Sequence, residues 1–93
     1  MDHRIVVKGD IDIAAAPDLL RRLDEAIDAD PGGLVVVDFD AVTFIDSTGL
    51  GVLVAAQRRA RTAGGTLGVV GVPDRVRQVF EVTGLDRVLL CPA

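Results

Sequence analysis

The apolar residues follow two alternating patterns along the chain. Short runs in which apolar residues alternate with polar ones, or follow one another without a break, are typical of strands, whereas apolar residues one turn apart indicate helices. Strand-like runs cover residues 4–7 with an exit at 10–13, then 34–37, 66–72 and 87–91. Helical spacing covers residues 17–30, 47–62 and 73–83. The chain is therefore predicted to fold in the order β-α-β-α-β-α-β.

Strands that alternate with helices of this length predict right-handed crossovers and a largely parallel sheet. We expect one small α/β domain over residues 1–93, with a four-stranded sheet and three main helices. The unbroken apolar run at 34–37 predicts a central strand, and residues 38–46 are predicted to form only its exit. Gly84 is predicted to end the third helix in the left-handed conformation, with Leu85 folding back over the last turn.

Composition excludes several classes of protein. With 49% hydrophobic and 26% charged residues the chain is not a disordered polar one, and no apolar run approaches the roughly 20 residues that span a bilayer. The net charge of −4 offers no attraction to a phosphate backbone, so no direct nucleic-acid partner is expected. A lone cysteine, Cys91, and a start without a secretory signal favour a cytoplasmic protein that does not insert into a membrane.

Candidate chemistry lies in two segments that follow predicted strands, residues 9–12 and 38–51, since parallel sheets gather binding groups beyond the carboxyl ends of their strands. The second segment holds Ser47, the only serine of the chain. Ser47 begins a predicted helix, where unpaired N–H groups and the helix dipole favour an anion such as a phosphate on the hydroxyl. The alternative interpretation is that Asp46 or Ser47 simply caps the helix.

Gly49 and Gly51 strengthen the functional interpretation. Each costs a helix about 1 kcal/mol relative to alanine, which folding alone does not require. Two positions apart, they point roughly 200° away from each other, so one close contact with the sheet does not explain both. We expect at least one of them to keep the helix surface bare for a partner.

Enzymatic functions fit poorly, and no cofactor or metal is expected. A serine nucleophile needs a nearby base, but the only histidine, His3, begins the first strand, away from Ser47. No glycine-rich stretch fits a nucleotide fingerprint. A set of aspartates at predicted strand ends could form a magnesium cluster, but a solvated rim is the favoured interpretation. These aspartates are Asp10, Asp12, Asp38, Asp40 and Asp46.

Three motifs in the same order resemble one known family. Residues 37–54, VDFDAVTFIDSTGLGVLV, resemble the core motif of the STAS domain of bacterial anti-sigma factor antagonists. Residues 9–12, GDID, are similar to that family's Gly-Glu-Leu-Asp turn, and residues 76–89, VRQVFEVTGLDRVL, to its closing helix and strand. The resemblance covers nearly the whole chain.

The resemblance implies a phosphorylation switch. In that family the serine after the motif aspartate, here Ser47, is phosphorylated by a serine kinase that is also the anti-sigma factor. The unphosphorylated antagonist binds the kinase and frees a sigma factor, and a serine phosphatase reverses the modification. A phosphate would add negative charge beside Asp46, with Asp38 and Asp40 expected nearby. The expected partner-binding residues are Asp12, Asp46, Ser47, Thr48, Gly49, Leu50 and Gly51.

Two other functions also fit the sequence. One is a STAS subunit that docks on the ATPase of a membrane transporter and needs no phosphorylation, and the other is a small phosphoryl-transfer protein that binds a nucleotide. The family usually has an extra strand before the Gly-Asp turn strand, which this sequence lacks. We therefore expect an open sheet edge, which favours self-pairing into a homodimer.

Overall fold

Three parallel strands and four helices make up residues 3–90, the part of the chain that the computed structural model describes. The sheet has the order β1-β2-β3, so β2 is central as predicted. The α/β class and the three main helices are confirmed. The elements are β1 (His3–Ile11), α1 (Ala16–Ala29), β2 (Leu34–Ile45), α2 (Ser47–Thr62), β3 (Thr66–Val70), α3 (Asp74–Thr83) and α4 (Asp86–Leu89).

β2 is three times as long as predicted, because residues 38–45 continue the strand instead of leaving it. Its register with β1 shifts twice, so that β2 carries two extra residues, one at each bulge. The buried side chains of β2 are therefore spaced by two and then by three residues, at Val37, Phe39, Val42 and Ile45. A β-bulge bends a strand and breaks its period of two, which is why the apolar pattern concealed this half of the strand.

The side chains of β1 alternate between the core and solvent. Ile5, Val7 and Ile11 are buried, whereas Val6 on the opposite face is 56% exposed. The buried side chains of the strands and helices join in one hydrophobic cluster. Within this cluster, the rings of Phe39 and Phe80 pack edge to face, with their centroids 6.0 Å apart, and this contact joins α3 to β2.

The prediction of a fourth strand at 87–91 is wrong. Residues Asp86–Leu89 form the short helix α4, because the Leu85 carbonyl accepts hydrogen bonds from the N–H groups of Val88 and Leu89. Leu89 then points into the core. Extended backbone remains only at Leu90, which makes one isolated parallel bridge with Val69. Cys91 lies outside the described residues.

Gln57 closes the outer edge of β3. Its side-chain amide lies buried against the strand, where Oε1 accepts from the Leu67 N–H at 2.9 Å and Nε2 donates to the Leu67 carbonyl at 2.7 Å. Nε2 also donates to the Val88 carbonyl at 3.0 Å, which ties α4 to α2. The amide thus takes the place of a neighbouring strand, and it leaves both Leu67 backbone groups satisfied.

Ion pairs join the first two helices on their solvent side. Arg59 of α2 contacts Asp24 and Asp28 of α1, each at 2.8 Å. These pairs are largely exposed, so their contribution to stability is small. Among residues 3–90, no helix combines the length and apolar character needed to cross a membrane.

Gly84 ends α3 as predicted. Its φ of 74° lies in the left-handed region, its N–H donates to the Glu81 carbonyl, and the Leu85 N–H donates to the Phe80 carbonyl. This pair of bonds is the Schellman motif, which satisfies carbonyl groups at a helix end. A Cβ at Gly84 would meet no atom within 4 Å, so the need for glycine is conformational and not steric.

Replacing Gly84 by valine is expected to lower the free energy of unfolding by about 1–2 kcal/mol, because a β-branched residue is strained at positive φ. Urea denaturation followed by circular dichroism measures the loss. Gly84→Asn is the matched control, since asparagine tolerates this conformation, and it is expected to lose less stability than Gly84→Val. Equal stability of Gly84→Val and the wild type would contradict the argument.

Candidate functional site

The carboxyl ends of β1 and β2 meet at the start of α2. Ile11 pairs with Ile45 at the end of the parallel ladder, and Asp12 and Asp46 follow them directly. The Asp46 N–H donates to the Ile11 carbonyl at 3.2 Å, which fixes the beginning of α2 against the end of β1. The two sequence segments that were expected to carry chemistry therefore lie side by side, from the pair Gly9–Val42 to the bond between Asp46 and Ile11.

Asp46 is the residue that caps α2. Its backbone is extended, and its Oδ1 accepts from the Gly49 N–H at 3.0 Å. Its carbonyl accepts the first helical hydrogen bond, from the Leu50 N–H at 3.0 Å. The capping interpretation thus holds for Asp46 and not for Ser47. An aspartate at this position adds about 1 kcal/mol to helix stability and places negative charge at the positive end of the helix dipole.

Ser47 is the first residue of α2, and it is exposed. None of the side-chain hydrogen bonds formed within residues 3–90 uses its hydroxyl group. The hydroxyl therefore stands at the helix N-terminus, next to backbone N–H groups that have no partner within the helix. It is open to solvent and takes no part in the side-chain hydrogen bonding of the described residues.

Asp12 shapes the turn between β1 and α1. Its Oδ1 accepts from the N–H groups of Ala14 and Ala15, each at 3.1 Å, and its carbonyl accepts from the Ala16 N–H at 2.9 Å. Such an Asx turn holds the chain where it leaves the strand. Asp12 thus has a structural task beside any contact with a partner.

The two glycines of α2 have different environments. Gly49 is buried, and a Cβ there would lie 2.8 Å from both Ile11 Cγ2 and the Ile11 carbonyl oxygen, and 2.9 Å from Ile45 Cγ1. Gly51 is exposed, and a Cβ there would meet no atom within 4 Å. The expectation that neither glycine has a packing reason is therefore wrong for Gly49, because α2 approaches the strands too closely for a side chain. It holds for Gly51.

The predicted partner-binding residues differ in how far a partner could reach them. Leu50 is only 5% exposed and belongs to the core, so its side chain serves folding. The role of all seven predicted residues in binding a partner stays a prediction. Ser47 and Gly51 are exposed, Asp12, Asp46 and Thr48 are half-buried, and Gly49 and Leu50 are buried.

Two apolar residues beside the site were not predicted. Ile13 is 73% exposed directly after Asp12, and Phe44 is 50% exposed on β2 directly before Ile45. Single exposed apolar side chains are common on protein surfaces, and only a contiguous apolar patch marks a binding site. The sequence signal was present for Phe44, since a phenylalanine next to buried Ile45 has to face away from the core. Phe44 therefore lies on the face of the sheet opposite α2. We call Ser47 and Gly51, which are both exposed on α2, the Ser47 surface.

Asp38 and Asp40 do not lie near Ser47, contrary to expectation. Asp38 stands in the middle of β2, seven residues before Ile45, a separation of roughly 20 Å along a strand. Its Oδ1 accepts from the Asp40 N–H at 2.9 Å, and its Oδ2 accepts from Arg4 at 2.6 Å. The bond from the Asp40 N–H and the Arg4 guanidinium together lower the pKa of Asp38. The error follows directly from the unrecognised length of β2.

The remaining aspartate of the predicted rim, Asp10, accepts a hydrogen bond from the Thr43 hydroxyl at 2.7 Å on the exposed face of the sheet. Within the described part of the chain, no three histidine, cysteine, aspartate or glutamate side chains stand close enough to hold a metal ion together. The acidic rim is therefore spread along two strands and is not a cluster.

This arrangement defines a small parallel α/β domain whose main candidate group is an accessible serine at a helix N-terminus beside the ends of two strands. A family model described as "Mlab, STAS domain" matches residues 2–91. The chain belongs to the STAS domain family.

Individual relatives agree with this assignment. An anti-sigma-B factor antagonist of Listeria monocytogenes is 37% identical over 89 residues, which cover 95% of this chain and 77% of the relative. The crystal structure of an anti-sigma factor antagonist from Mycobacterium paratuberculosis superposes with a TM-score of 0.82 at 32% identity, over 97% of this chain and 76% of that one.

The structure of the anti-sigma factor antagonist SpoIIAA in its unphosphorylated form has a TM-score of 0.80 at 22% identity, over 97% of this chain and 78% of that one. The phosphorylated form of the Bacillus SpoIIAA has a TM-score of 0.71 at 21% identity, over 97% and 81%. At this level of identity the likeness concerns the fold.

Opposite effects are expected when the two glycines of α2 are changed to alanine. Gly49→Ala should lower the free energy of unfolding by 1 kcal/mol or more, a rough minimum set by overpacking against strand backbone. Gly51→Ala should raise it by about 0.5–1 kcal/mol, because alanine favours the helix and meets nothing. Urea denaturation of both variants provides the measurement. If both variants are stabilised, the close approach of α2 to β1 is refuted.

Proposed function

We propose that this chain is an anti-sigma factor antagonist that binds an anti-sigma factor serine kinase and is released when the kinase phosphorylates Ser47. A serine phosphatase then restores the binding form. The observation that carries the proposal is the exposed Ser47 hydroxyl, which neither caps α2 nor bonds to any other residue among those described. The names of the antagonists to which the chain is similar support the same function.

The geometry of α2 places Ser47 in an open surface. Residues four positions apart lie on the same side of a helix, so the bare Gly51 stands one turn from Ser47 and leaves room for an approaching protein. Thr48 lies about 100° round the helix, and Gly49 points roughly 200° away, into the sheet. Ile13, which directly follows Asp12 at the end of β1, is a further exposed apolar residue at this end of the strands.

A phosphate would change this surface without disturbing the fold. It carries nearly two negative charges and would stand next to the Asp46 carboxylate. The N-terminus of α2 favours an anion, and removal of the hydroxyl proton breaks no bond within the domain. A partner that covers Ser47 would have to remove water from the phosphate, which costs much free energy unless the partner supplies its own cations. Phosphorylation is therefore expected to weaken binding directly at the contact surface.

Substitutions at Ser47 test the switch. Tagged wild-type protein is first used to isolate the kinase from the native cell, and the purified kinase is then incubated with the chain and ATP. Mass spectrometry is expected to find phosphate on Ser47. Ser47→Ala should bind the kinase persistently in the presence of ATP. Ser47→Asp should bind it at least about tenfold more weakly, as measured by calorimetry, because it brings a carboxylate into the contact.

Thr48→Ala is the matched control, and it should be phosphorylated and released like the wild type. Phosphate on Thr48 alone would refute the assignment of Ser47. Co-purification with a transporter ATPase, with equal binding by wild type and Ser47→Asp, would establish the transporter subunit instead. Saturable binding of ATP or GTP by the isolated chain would favour the nucleotide-binding alternative.

A second substitution tests the access that Gly51 provides. Gly51→Arg is expected to weaken kinase binding at least about tenfold, because the long side chain occupies the space beside Ser47. It should not lower the free energy of unfolding, since arginine favours a helix more than glycine does. Thr62→Arg, eleven residues or roughly 16 Å further along the same helix, controls for the added charge and is expected to bind normally. Normal binding by Gly51→Arg would remove Gly51 from the contact surface.

A further inference from the structure

The two edges of the sheet are treated differently. On the outer edge of β3, Gln57 satisfies both backbone groups of Leu67, and Leu90 forms a bridge with Val69. Natural sheets commonly cover an edge in this way, because unpaired N–H and C=O groups accept another strand. The outer edge of β1 has no such cover among the described residues. One side chain reaches it, that of Arg22, whose Nη2 donates to the Val6 carbonyl at 2.9 Å.

We propose that two copies of this chain pair through β1 in antiparallel orientation, which joins the two sheets into one of six strands. The proposal concerns self-association and does not rest on the proposed function. Space for a second strand is available, since a groove of about 530 Å³ runs between β1 and α1 and is lined by Val6, Lys8, Leu19 and Arg22 among others. The contact of Arg22 with Val6 is the one that the incoming strand would displace.

The charged residues of β1 are complementary to those of a second β1 that runs antiparallel to it. When the nine residues of β1 overlap completely, Val7 faces Val7 of the second copy on the two-fold axis. Arg4 then lies opposite Asp10 of the second copy, and the same pair forms again on the other side of the axis. Lys8 lies opposite Val6, so no like charges face each other. Cross-strand pairs of opposite charge stabilise a sheet, and like charges destabilise it.

Other registers are worse. A shift that pairs Arg4 with Lys8 of the second copy, or Lys8 with itself, brings like charges together and shortens the overlap. A shift of the register by one residue would place the exposed side chains of one β1 opposite the buried side chains of the other. Complete overlap is thus the register that fits both the charges and the faces. In that register the core face pairs Val7 with Val7, and the solvent face carries both ion pairs.

Arg4 and Asp10 both retain bonding capacity for the second copy. The Arg4 side chain is 62% exposed although it contacts Asp38, and a guanidinium group has five donors. Asp10 is exposed, and it accepts from Thr43 through one of its two carboxylate oxygens. Neither residue therefore has to give up a bond within its own copy in order to pair across the axis.

Charge reversal and mixing test the proposal. Sedimentation equilibrium at low ionic strength is expected to show dimers of the wild type at concentrations below about 1 mM. In Arg4→Glu, both ion pairs become Glu–Asp contacts, and in Asp10→Lys, both become Arg–Lys contacts. Each variant alone is expected to dimerise at least about tenfold more weakly than the wild type.

A 1:1 mixture of Arg4→Glu and Asp10→Lys is expected to dimerise again, to within about threefold of the wild type, because each mixed dimer contains a Glu–Lys and an Arg–Asp pair. Arg77→Glu and Glu81→Lys on exposed positions of α3 make the same kinds of charge change away from β1. These control variants should dimerise like the wild type, separately and mixed.

A monomeric wild type throughout this concentration range would overturn the proposal. Dimers that persist in both reversal variants would overturn it as well, since they would place the interface elsewhere. Failure of the mixture to recover, with both variants folded by circular dichroism, would reject the antiparallel register. Because none of these measurements includes the kinase, their failure leaves the switch at Ser47 to its own test.

Discussion

The close packing of Gly49 on the ends of β1 and β2 is the contact on which the site depends. A methyl group at this position would lie 2.8 Å from the backbone carbonyl of Ile11, which cannot give way without moving β1. Only glycine lets the first turn of α2 approach so near. The same approach brings the Asp46 N–H to the Ile11 carbonyl, so the helix begins directly at the paired strand ends.

The exposure of Ser47 follows from this one buried residue. Because a helix turns 100° per residue, positions two before and two after Gly49 point roughly 200° away from it. Ser47 and Gly51 must then both face away from the sheet, and the structure has both exposed. One glycine is required so that the helix packs closely, and the other leaves space on the opposite side. Local geometry thus couples folding of the domain to the accessibility of its serine.

Some helices and strands of this fold can be predicted from the sequence more accurately than others. The three main helices were predictable because their apolar stripes are long and their ends carry clear signals, such as Pro17 at the start of α1 and Gly84 after α3. The second half of β2 was not, since two bulges change the spacing of its buried residues. The last segment was misread because Leu85 starts a helical turn in a stretch whose apolar residues suit a strand equally well.

The site was predicted in part for the same reasons. Asp46 and Ser47 stand next to each other at a helix start, so local sequence sufficed to bring them together. The position of Asp38 depends on the length of β2. Because the strand was predicted too short, Asp38 was expected near Ser47, whereas it lies roughly 20 Å before the end of the strand. The environment of Gly49 depended on contacts with residues distant in sequence, which no local pattern contains. Helix propensity showed that glycine lowers the stability of the helix at this position, but it did not show which neighbouring residue makes glycine necessary.

The proposed dimer interface runs along the whole of β1, whereas the Ser47 surface lies beyond the carboxyl end of that strand. Antiparallel pairing places the end of β1 in one copy beside the start of β1 in the other, so the two Ser47 surfaces would lie at opposite ends of the joined strands. Nine residues of strand separate these ends by roughly 30 Å. Charges at this distance are screened over a Debye length of about 8 Å at physiological salt. A phosphate on one Ser47 would then affect the contact at its own end only, and the two copies could exchange partners independently.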